Sequence, residues 1–352
     1  MNLKEMAGQL LMLGFNGDTP SKGIIRLIKK GYLGGVILFK RNLCDPFQIA
    51  SLCNSLQRLT GDIPLFVSID HEGGRINRLS LPFTQLPANS ILGRYHSIEE
   101  VYKIGRLMAR ELKAVGINMN FAPVLDINTN PSNPVIGDRA FGDNPDIVST
   151  LGLALISGLQ DNGMIACGKH FPGHGDTDAD SHSELPRLTH NIKRLIQTEM
   201  VPFQYAVRNN LHTIMTAHII YDKLDERYPA TLSKKIITDI LRRDMGFNGV
   251  VITDDLSMKA ISENFSREET IVKCIDAGCD IILISQDREE ETEAIPDILF
   301  DLIDKREIPE YRIRESYIRV QQLKENFLLP YRPIDTRMIM DVIGKDKTVL
   351  QG

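Results

Sequence analysis

The segment from His170 to His182 carries the densest set of chemically active side chains in the sequence. It contains three of the eight histidines, together with three aspartates. One interpretation is a metal centre, since His and Asp are the usual ligands of hydrolytic Zn²⁺ or Mn²⁺. Another is that Asp180 orients the imidazole of His182, which would then act as acid or base near neutral pH. A third is a loop held by turns with a solvated histidine, and the residues alone leave all three open.

A second set of candidate groups lies in Thr253-Asp254-Asp255-Leu256-Ser257. Asp254 comes at the last step of an apolar run and would point into a site at the end of that strand. A carboxylate is already ionised at neutral pH and can attack the anomeric carbon of a sugar without an activating base. Asp255 or Ser257 would instead cap the following helix. Cationic side chains would supply donors for sugar hydroxyls, and the candidates are Lys169, His170, Arg139 and either Arg75 or Arg78.

Eight apolar runs of strand type alternate with helical patterns and would position these groups. The predicted strands are Leu10–Phe15, Gly35–Phe39, Leu65–Ile69, Met119–Leu125, Met164–Gly168, Thr213–His218, Val250–Thr253 and Ile281–Ser285. The predicted amphipathic helices include Ile98–Ala114, Asp146–Gln160, Ile192–Val207 and Ser233–Arg243. Several strands are apolar on both faces, as in a parallel sheet covered by helices. The alternation predicts an α/β fold, a TIM-like (β/α)8 barrel, with a doubly wound open sheet as the alternative.

Polar residues follow most of the predicted strands, where a barrel would bring them together. Asp70, Asp126, Lys169, His218 and Asp254 each stand at or just beyond the end of a strand. In a barrel of parallel strands these positions meet at the C-terminal mouth, where the active sites of barrel enzymes are built. The sequence therefore predicts one site made from several loops.

Composition and charge argue against two classes of protein, those that bind nucleic acids and those that span membranes. The 352 residues include 41 Lys and Arg against 46 Asp and Glu, which gives a formal charge of −5. We therefore expect no nucleic-acid partner held by an overall positive field. No run approaches the roughly 18 apolar residues of a membrane span, so we expect no membrane partner. The amino terminus lacks the pattern of a signal peptide, which predicts a cytoplasmic protein.

The chain shows no linker or low-complexity tract, so we expect a single domain over residues 1–352. The C-terminal helices and tail, from about residue 305 to 352, are expected to pack on the outside of the barrel. Five cysteines, an odd number without a C-x-x-C pair, favour buried reduced thiols over a disulfide or zinc framework.

Six short motifs occur in an order and at intervals that resemble a known family. They are Asp-x-Glu-Gly-Gly-Arg, Phe-Ala-Pro-Val-x-Asp, Ile-Gly-x-Arg, Gly-Lys-His-Phe-Pro-Gly-His-Gly, Asp-Ser-His and Asp-Asp-Leu-Ser-Met. Together they resemble the bacterial β-N-acetylglucosaminidases (β-hexosaminidases) of glycoside hydrolase family 3, of the single-domain type that acts in peptidoglycan recycling. The resemblance covers roughly residues 5–330.

The resemblance implies a TIM-like barrel that retains anomeric configuration through a glycosyl-enzyme intermediate. It makes Asp254 the nucleophile and His182, paired with Asp180, the acid and base. The residues it implies in substrate binding are Asp70, Arg78, Arg139, Lys169, His170 and Met258. It implies no metal and no other cofactor, and a small carbohydrate as the partner of a monomeric enzyme. The expected reaction removes terminal N-acetylglucosamine from 1,6-anhydro-N-acetylmuramyl peptides.

Four alternatives stay open. An imidazole acid/base places less negative charge beside an incoming anion than a carboxylate would, so phosphate could replace water and make the enzyme a phosphorylase. A glycosidase of the same family that acts on glucosides or on N-acetylgalactosaminides is the second, although the chain is too short for the additional sandwich domain of the related glucosidases. A metal-dependent barrel hydrolase would use His170, His174, Asp176 and His182. The fourth is a non-catalytic sugar-binding barrel. We also expect the loop that carries His182 to move.

Overall fold

The computed structural model describes residues 1–95, 97–178, 180–181, 184–285 and 289–345. Eight parallel strands form one sheet. They are β1 (Leu11–Leu13), β2 (Gly35–Leu38), β3 (Phe66–Ile69), β4 (Met119–Asn120), β5 (Ile165–Phe171), β6 (Thr213–Thr216), β7 (Val250–Ile252) and β8 (Ile282–Ile284). Two short pairs stand outside this sheet, Arg187–Leu188 with Ile220–Tyr221 and His71–Gly73 with Ile76–Asn77.

The sheet closes into a barrel because each strand pairs with its neighbour in sequence. The pairs run from β1 through β7, and β8 returns to β1, where Leu11 is in register with Ile282. A parallel bridge between Ile252 and Ile281 joins β7 to β8 and closes the ring. The order contains none of the reversal that defines a doubly wound sheet. The predicted TIM-like barrel is therefore confirmed, and the open-sheet alternative is wrong.

Each of the eight predicted strand segments contains a strand, but none has the predicted bounds, and β4 and β5 depart from them most. β4 stops at Asn120 rather than at Leu125, because Pro123 has no N–H to donate to the ladder. Pairing resumes at Val124, which forms a parallel bridge with Lys169. β5 continues past the predicted end to Phe171, and the peptide bond between Lys169 and His170 in this strand is cis.

Helices cover the outside of the barrel. The α-helices are Leu3–Gly8, Lys22–Lys29, Pro46–Gln57, Asn89–Tyr95, Ile98–Ala114, Pro145–Gln160, Ile192–Gln197, Val201–Arg208, Lys259–Ser262, Arg267–Ala277, Glu289–Asp304, Glu310–Leu328 and Ile339–Val342. Lys235–Asp244 is a π-helix, and Lys40–Asn42, Gly137–Arg139, Ala230–Leu232 and Thr336–Met338 are 3₁₀ turns. Among the described helices, none combines the length and apolar content that crossing a lipid bilayer requires.

One predicted helix is wrong as a single element. The apolar spacing over Ile192–Val207 continues through a break, because two helices, Ile192–Gln197 and Val201–Arg208, share that periodicity. Pro202 explains the break, since its ring would clash with the carbonyl of Thr198 and it has no N–H to donate to that carbonyl. The predicted helix Ile98–Ala114 has the bounds seen in the structure.

The helix Glu310–Leu328 packs across the N-terminal end of the barrel, opposite the mouth. The Lys324 ammonium donates to Gln9 Oε1 at 2.8 Å and to the Gly34 carbonyl at 2.9 Å, and both residues precede barrel strands. Arg319 pairs at 3.0 Å with Asp280, just before β8. These contacts hold this helix against the barrel, and the last residues of the chain, 346–352, lie outside its described part.

Lys324 gives the fold a pH dependence that can be measured. It is 1% exposed, its contacts are neutral groups, and burial lowers the pKa of its ammonium to about 7. Between about pH 7 and pH 10.5 the unfolded chain therefore binds this proton and the folded chain does not, so stability rises with pH across that window. Denaturant unfolding should show the wild type gaining stability relative to Lys324→Met from pH 7 to 10, by on the order of 4 kcal/mol. Parallel pH profiles of the two proteins would contradict this account.

Candidate active site

A cavity of about 300 Å³ opens at the C-terminal mouth of the barrel. Seven of the nine predicted site residues line it, namely Asp70, Arg78, Arg139, Lys169, His170, Asp254 and Met258. Arg75, the other arginine considered, pairs with Asp138 at 2.8 Å instead. A larger open groove of about 680 Å³ lies at the opposite end of the barrel, beside His212 and Arg319, and contains none of the predicted site residues.

Four charged groups form a buried cluster on one wall of the cavity. Lys169 Nζ lies 2.7 Å from Asp70 Oδ1 and 2.6 Å from Glu72 Oε1. Arg139 donates two parallel hydrogen bonds to the carboxylate of Glu72, at 2.9 and 2.8 Å. Arg78 stands farther off, 4.0 Å from the free oxygen of Asp70. Two cations and two anions in this cluster balance one another, so the wall presents fixed donors and acceptors without a large net charge.

The contacts within the cluster keep Glu72 and Lys169 ionised. Burial alone would raise the pKa of Glu72, but Arg139 and Lys169 outweigh it and hold that pKa well below its usual range. Burial would lower the pKa of Lys169, but Asp70 and Glu72 raise it above its usual value. Lys169 is therefore a cation at neutral pH, and the predicted role as a donor to sugar hydroxyls requires that charge.

A tight hairpin positions Asp70 and Glu72 on this wall. The strand His71–Gly73 turns directly into Ile76–Asn77, and Gly73 and Gly74 adopt φ of +98° and +55° at the turn. A Cβ on Gly73 would lie 2.4 Å from the Pro87 carbonyl oxygen, so only glycine fits this approach. Gly73 and Gly74 of the Asp-x-Glu-Gly-Gly-Arg motif therefore allow the turn that places the carboxylates of Asp70 and Glu72.

Asp126 fixes the orientation of His170. Its carboxylate lies 2.7 Å from His170 Nδ1 and also accepts the backbone N–H of His174 at 2.7 Å. A carboxylate only accepts, so Nδ1 carries the ring proton and Nε2 offers a lone pair toward Arg139, 3.5 Å away. Burial opposes ionisation of Asp126, but His170 and His174 outweigh it and lower its pKa.

No role was predicted for Glu72 or Asp126, although Asp126 was expected at the mouth of the barrel. Glu72 belongs to the motif that starts at Asp70, and Asp126 ends a predicted strand, so both positions were visible in the sequence. Their roles depend on partners that lie 67 and 44 residues away, Arg139 and His170, and no local pattern shows such pairing.

Asp254 stands just after β7 with its carboxylate at the cavity. Its N–H donates to Thr216 Oγ1 at 3.4 Å, and its Oδ1 accepts the N–H of Asp255 at 2.8 Å. Asp255 accepts from the backbone N–H groups of Ser257 and Ser285, each at 3.0 Å, and so ties the ends of β7 and β8 together. The carboxylate predicted as nucleophile is thus held on a rigid edge of the barrel.

The expected helix cap at Asp255 or Ser257 is wrong. The next helix begins at Lys259, and its N-cap is Met258, which makes no side-chain capping bond. Asp255 instead holds the turn that precedes this helix and links it to β8.

His182 lies outside the described residues, and so the geometry of the Asp180–His182 pair is not defined. Asp180 itself is partly exposed. Its neighbour Ser181 is buried at the cavity, with Oγ 2.9 Å from Nε2 of His174. Burial lowers the pKa of His174 to about 4, so this imidazole is neutral and anchors the start of the loop.

The candidate metal ligands in the described part of the loop have other partners. Both ring nitrogens of His174 are occupied, by Thr177 and Ser181. Asp176 accepts from Thr129 at 2.7 Å and lies 2.8 Å from His190. Within the described ranges, no three His, Cys, Asp or Glu side chains are grouped as metal ligands would be.

The family description "Glycosyl hydrolase family 3 N terminal domain" matches residues 2–323. A Beta-hexosaminidase of Nitrosomonas eutropha is 37% identical and is matched over 90% of this chain and 92% of its own length. Beta-hexosaminidase A of Pseudoalteromonas piscicida is 35% identical over 92% of this chain, which spans 61% of that longer protein.

Solved structures agree with these matches. A family 3 β-N-acetylglucosaminidase from a Paenibacillus strain superposes with a TM-score of 0.90 at 39% identity, covering 97% of this chain and 68% of its own. Native NagZ from Neisseria gonorrhoeae superposes with a TM-score of 0.80 at 31% identity, covering 97% and 94%. The barrel, its mouth and the motifs that line it agree with the predicted resemblance, and the chain belongs to glycoside hydrolase family 3.

Proposed function

We propose that this protein is a retaining exo-β-N-acetylglucosaminidase whose nucleophile is Asp254. The observation that carries the proposal is the placement of this carboxylate at a small cavity that is also lined by the ion-paired side chains of Asp70, Glu72, Arg139 and Lys169. A volume of about 300 Å³ is at the lower end for ligand pockets and suits one sugar ring. Residues 1–352 would act as one catalytic domain, as a cytoplasmic monomer.

In the proposed reaction, an oxygen of Asp254 attacks the anomeric carbon as the glycosidic C–O bond breaks. His182, oriented by Asp180, gives its proton to the departing oxygen. Water then attacks the same carbon, His182 takes a proton from that water, and the bond to Asp254 breaks to restore the carboxylate. Two inversions leave the configuration of the sugar unchanged.

The cavity residues would hold the non-reducing sugar through the first step. Lys169 and Arg139 donate, Asp70 accepts, and Nε2 of His170 accepts because Asp126 holds the proton on Nδ1. Arg78 and Met258 complete the wall. Because these groups are already ordered by one another, binding spends little energy on arranging them.

The preference for N-acetylglucosamine and the role in peptidoglycan recycling rest on the relatives. Curated relatives carry the name Beta-hexosaminidase, and a superposing structure is a β-N-acetylglucosaminidase. We infer the same sugar for this chain, released from 1,6-anhydro-N-acetylmuramyl peptides.

A panel of 4-nitrophenyl glycosides tests the proposal. We expect hydrolysis of the β-N-acetylglucosaminide, little or none of the β-glucoside, and no effect of EDTA on the rate. The sugar released first should be the β-anomer by ¹H NMR. Loss of activity in EDTA, restored by Zn²⁺ or Mn²⁺, would favour the metal-dependent hydrolase. Preference for the glucoside would replace the proposed substrate with that of a β-glucosidase.

Phosphate is expected to compete with water in the second step, because an imidazole leaves less negative charge beside an incoming anion than a carboxylate would. The reaction at high phosphate should therefore release some N-acetylglucosamine 1-phosphate, visible by ³¹P NMR. Free sugar alone at all phosphate concentrations would remove the phosphorylase alternative.

A further inference from the structure

Three fully buried side chains form a chain of hydrogen bonds beneath Asp254. Thr216 ends β6, His218 follows it, and Thr231 lies in the turn Ala230–Leu232. Thr231 Oγ1 lies 2.8 Å from Thr216 Oγ1 and 2.8 Å from His218 Nδ1. The other ring nitrogen of His218 lies 3.0 Å from the carbonyl oxygen of Asp255.

The direction of each bond follows from what each group can donate. A carbonyl oxygen only accepts, so Nε2 of His218 must carry a proton for Asp255. Burial lowers the pKa of His218, which leaves the ring neutral, with a lone pair on Nδ1. The opposite tautomer would bring two lone pairs within 3.0 Å of each other at Asp255.

Each remaining hydrogen bond of this series then has only one possible direction. Thr231 must donate its hydroxyl proton to Nδ1 of His218, and so it accepts from Thr216. Thr216 in turn accepts the backbone N–H of Asp254. The Ala217 carbonyl, also 3.0 Å from Thr231 Oγ1, receives the backbone N–H of Thr231 at 3.3 Å, so this assignment leaves it bonded.

We propose that His218 is a positioning residue for the reaction, because its hydrogen-bond chain through Thr231 and Thr216 clamps the two peptide groups that flank the pair Asp254-Asp255. One end of the chain holds the N–H of Asp254, and the other holds the carbonyl of Asp255. The inference rests on the proposed role of Asp254 as nucleophile.

The clamp acts through the backbone and not through the sugar. His218, Thr216 and Thr231 are each 0% exposed, and the described cavity wall does not include them. The groups proposed to bind the sugar, such as Lys169 and Asp70, come from other strands. Loosening the clamp should therefore misplace the carboxylate while leaving sugar binding intact.

Thr231→Val tests the clamp, because it removes the hydroxyl at nearly constant shape. We expect kcat per folded enzyme to fall about 10-fold with KM changed less than about 2-fold, since small misplacements of a reacting group cost this much or more. Thr231→Ser keeps the hydroxyl and should recover most of the rate. Thr150→Val, whose hydroxyl bonds only carbonyls of its own helix, is the matched control and should behave as wild type.

The tautomer gives a readout that needs no turnover. In protein labelled with ¹⁵N-histidine, with His218→Gln to assign the signal, His218 should carry its proton on Nε2, and Thr231→Val should shift the Nδ1 resonance. A proton on Nδ1 in the wild type would overturn the proposal. So would an unchanged kcat in Thr231→Val, or a fall in activity matched by the fall in folded protein. Full activity of Asp254→Asn would instead remove the proposed nucleophile and leave the tautomer result standing.

Discussion

Replacing Asp254 by Asn should reduce turnover of 4-nitrophenyl β-N-acetylglucosaminide on the order of 10³-fold or more. The neutral amide keeps the size of the side chain but is a poor nucleophile, so the glycosyl-enzyme cannot form. The fold should persist, because Asn can still accept the N–H of Asp255 through its side-chain oxygen. Substrate binding should also persist, since the proposed donors and acceptors of the sugar lie on other strands.

Asp62→Asn is the matched control, because it makes the same chemical change at an exposed loop position. It should retain wild-type kcat and KM, and both variants should have the thermal midpoint of the wild type to within a few degrees. Retention of more than about a tenth of the wild-type rate by Asp254→Asn would move the nucleophile elsewhere.

Replacing Lys169 by Met should damage both stability and activity. The change removes the cation between Asp70 and Glu72 and leaves Glu72, whose side chain is 1% exposed, with Arg139 alone. Breaking a buried ion pair from one side costs about 3–5 kcal/mol of unfolding free energy. Losing a charged donor to the sugar should lower kcat/KM about 100-fold.

The double variant Lys169→Met with Glu72→Gln separates the two effects. Removing both charges should cost less stability than the sum of the single changes, because the buried Glu72 carboxylate is removed together with its cation and only the partly exposed Asp70 loses a partner. Activity should stay low in the double variant, since the donor is still missing. Lys29→Met, at an exposed helix end, is the control for loss of a lysine. Simple additivity of the stability losses would argue that the buried contacts are not coupled.

The barrel could be predicted because local patterns of apolar and polar residues indicate its strands and helices. Apolar runs with polar residues at their ends predicted the place of all eight strands. Because Asp254, Lys169 and His170 stand at the ends of such runs, their place at the mouth could be predicted too. β4 was predicted too long because a proline was read as part of an apolar run. The prediction of one helix over Ile192–Val207 was wrong for a similar reason, because the two helices on either side of the break share one apolar periodicity.

The parts of the site that could not be predicted are those fixed by pairing across the barrel. Asp126 reads as a polar residue after a strand, and only the fold brings it 2.7 Å from His170 Nδ1. His218 was seen at a strand end, but its contact with the Asp255 carbonyl depends on two neighbouring strands in register. The types and spacing of residues predict which side chains lie at the mouth of the barrel. The partner of each side chain and the direction of each hydrogen bond follow only from the distances between their atoms.

The most direct test of the account is to trap the glycosyl-enzyme with an activated fluorinated N-acetylglucosaminide and locate it by mass spectrometry. We expect an increase in mass of one fluorinated sugar per chain, carried by the peptide that contains Asp254 and absent in Asp254→Asn. Attachment at another residue, or an active enzyme that forms no adduct and releases the inverted α-anomer, would contradict it.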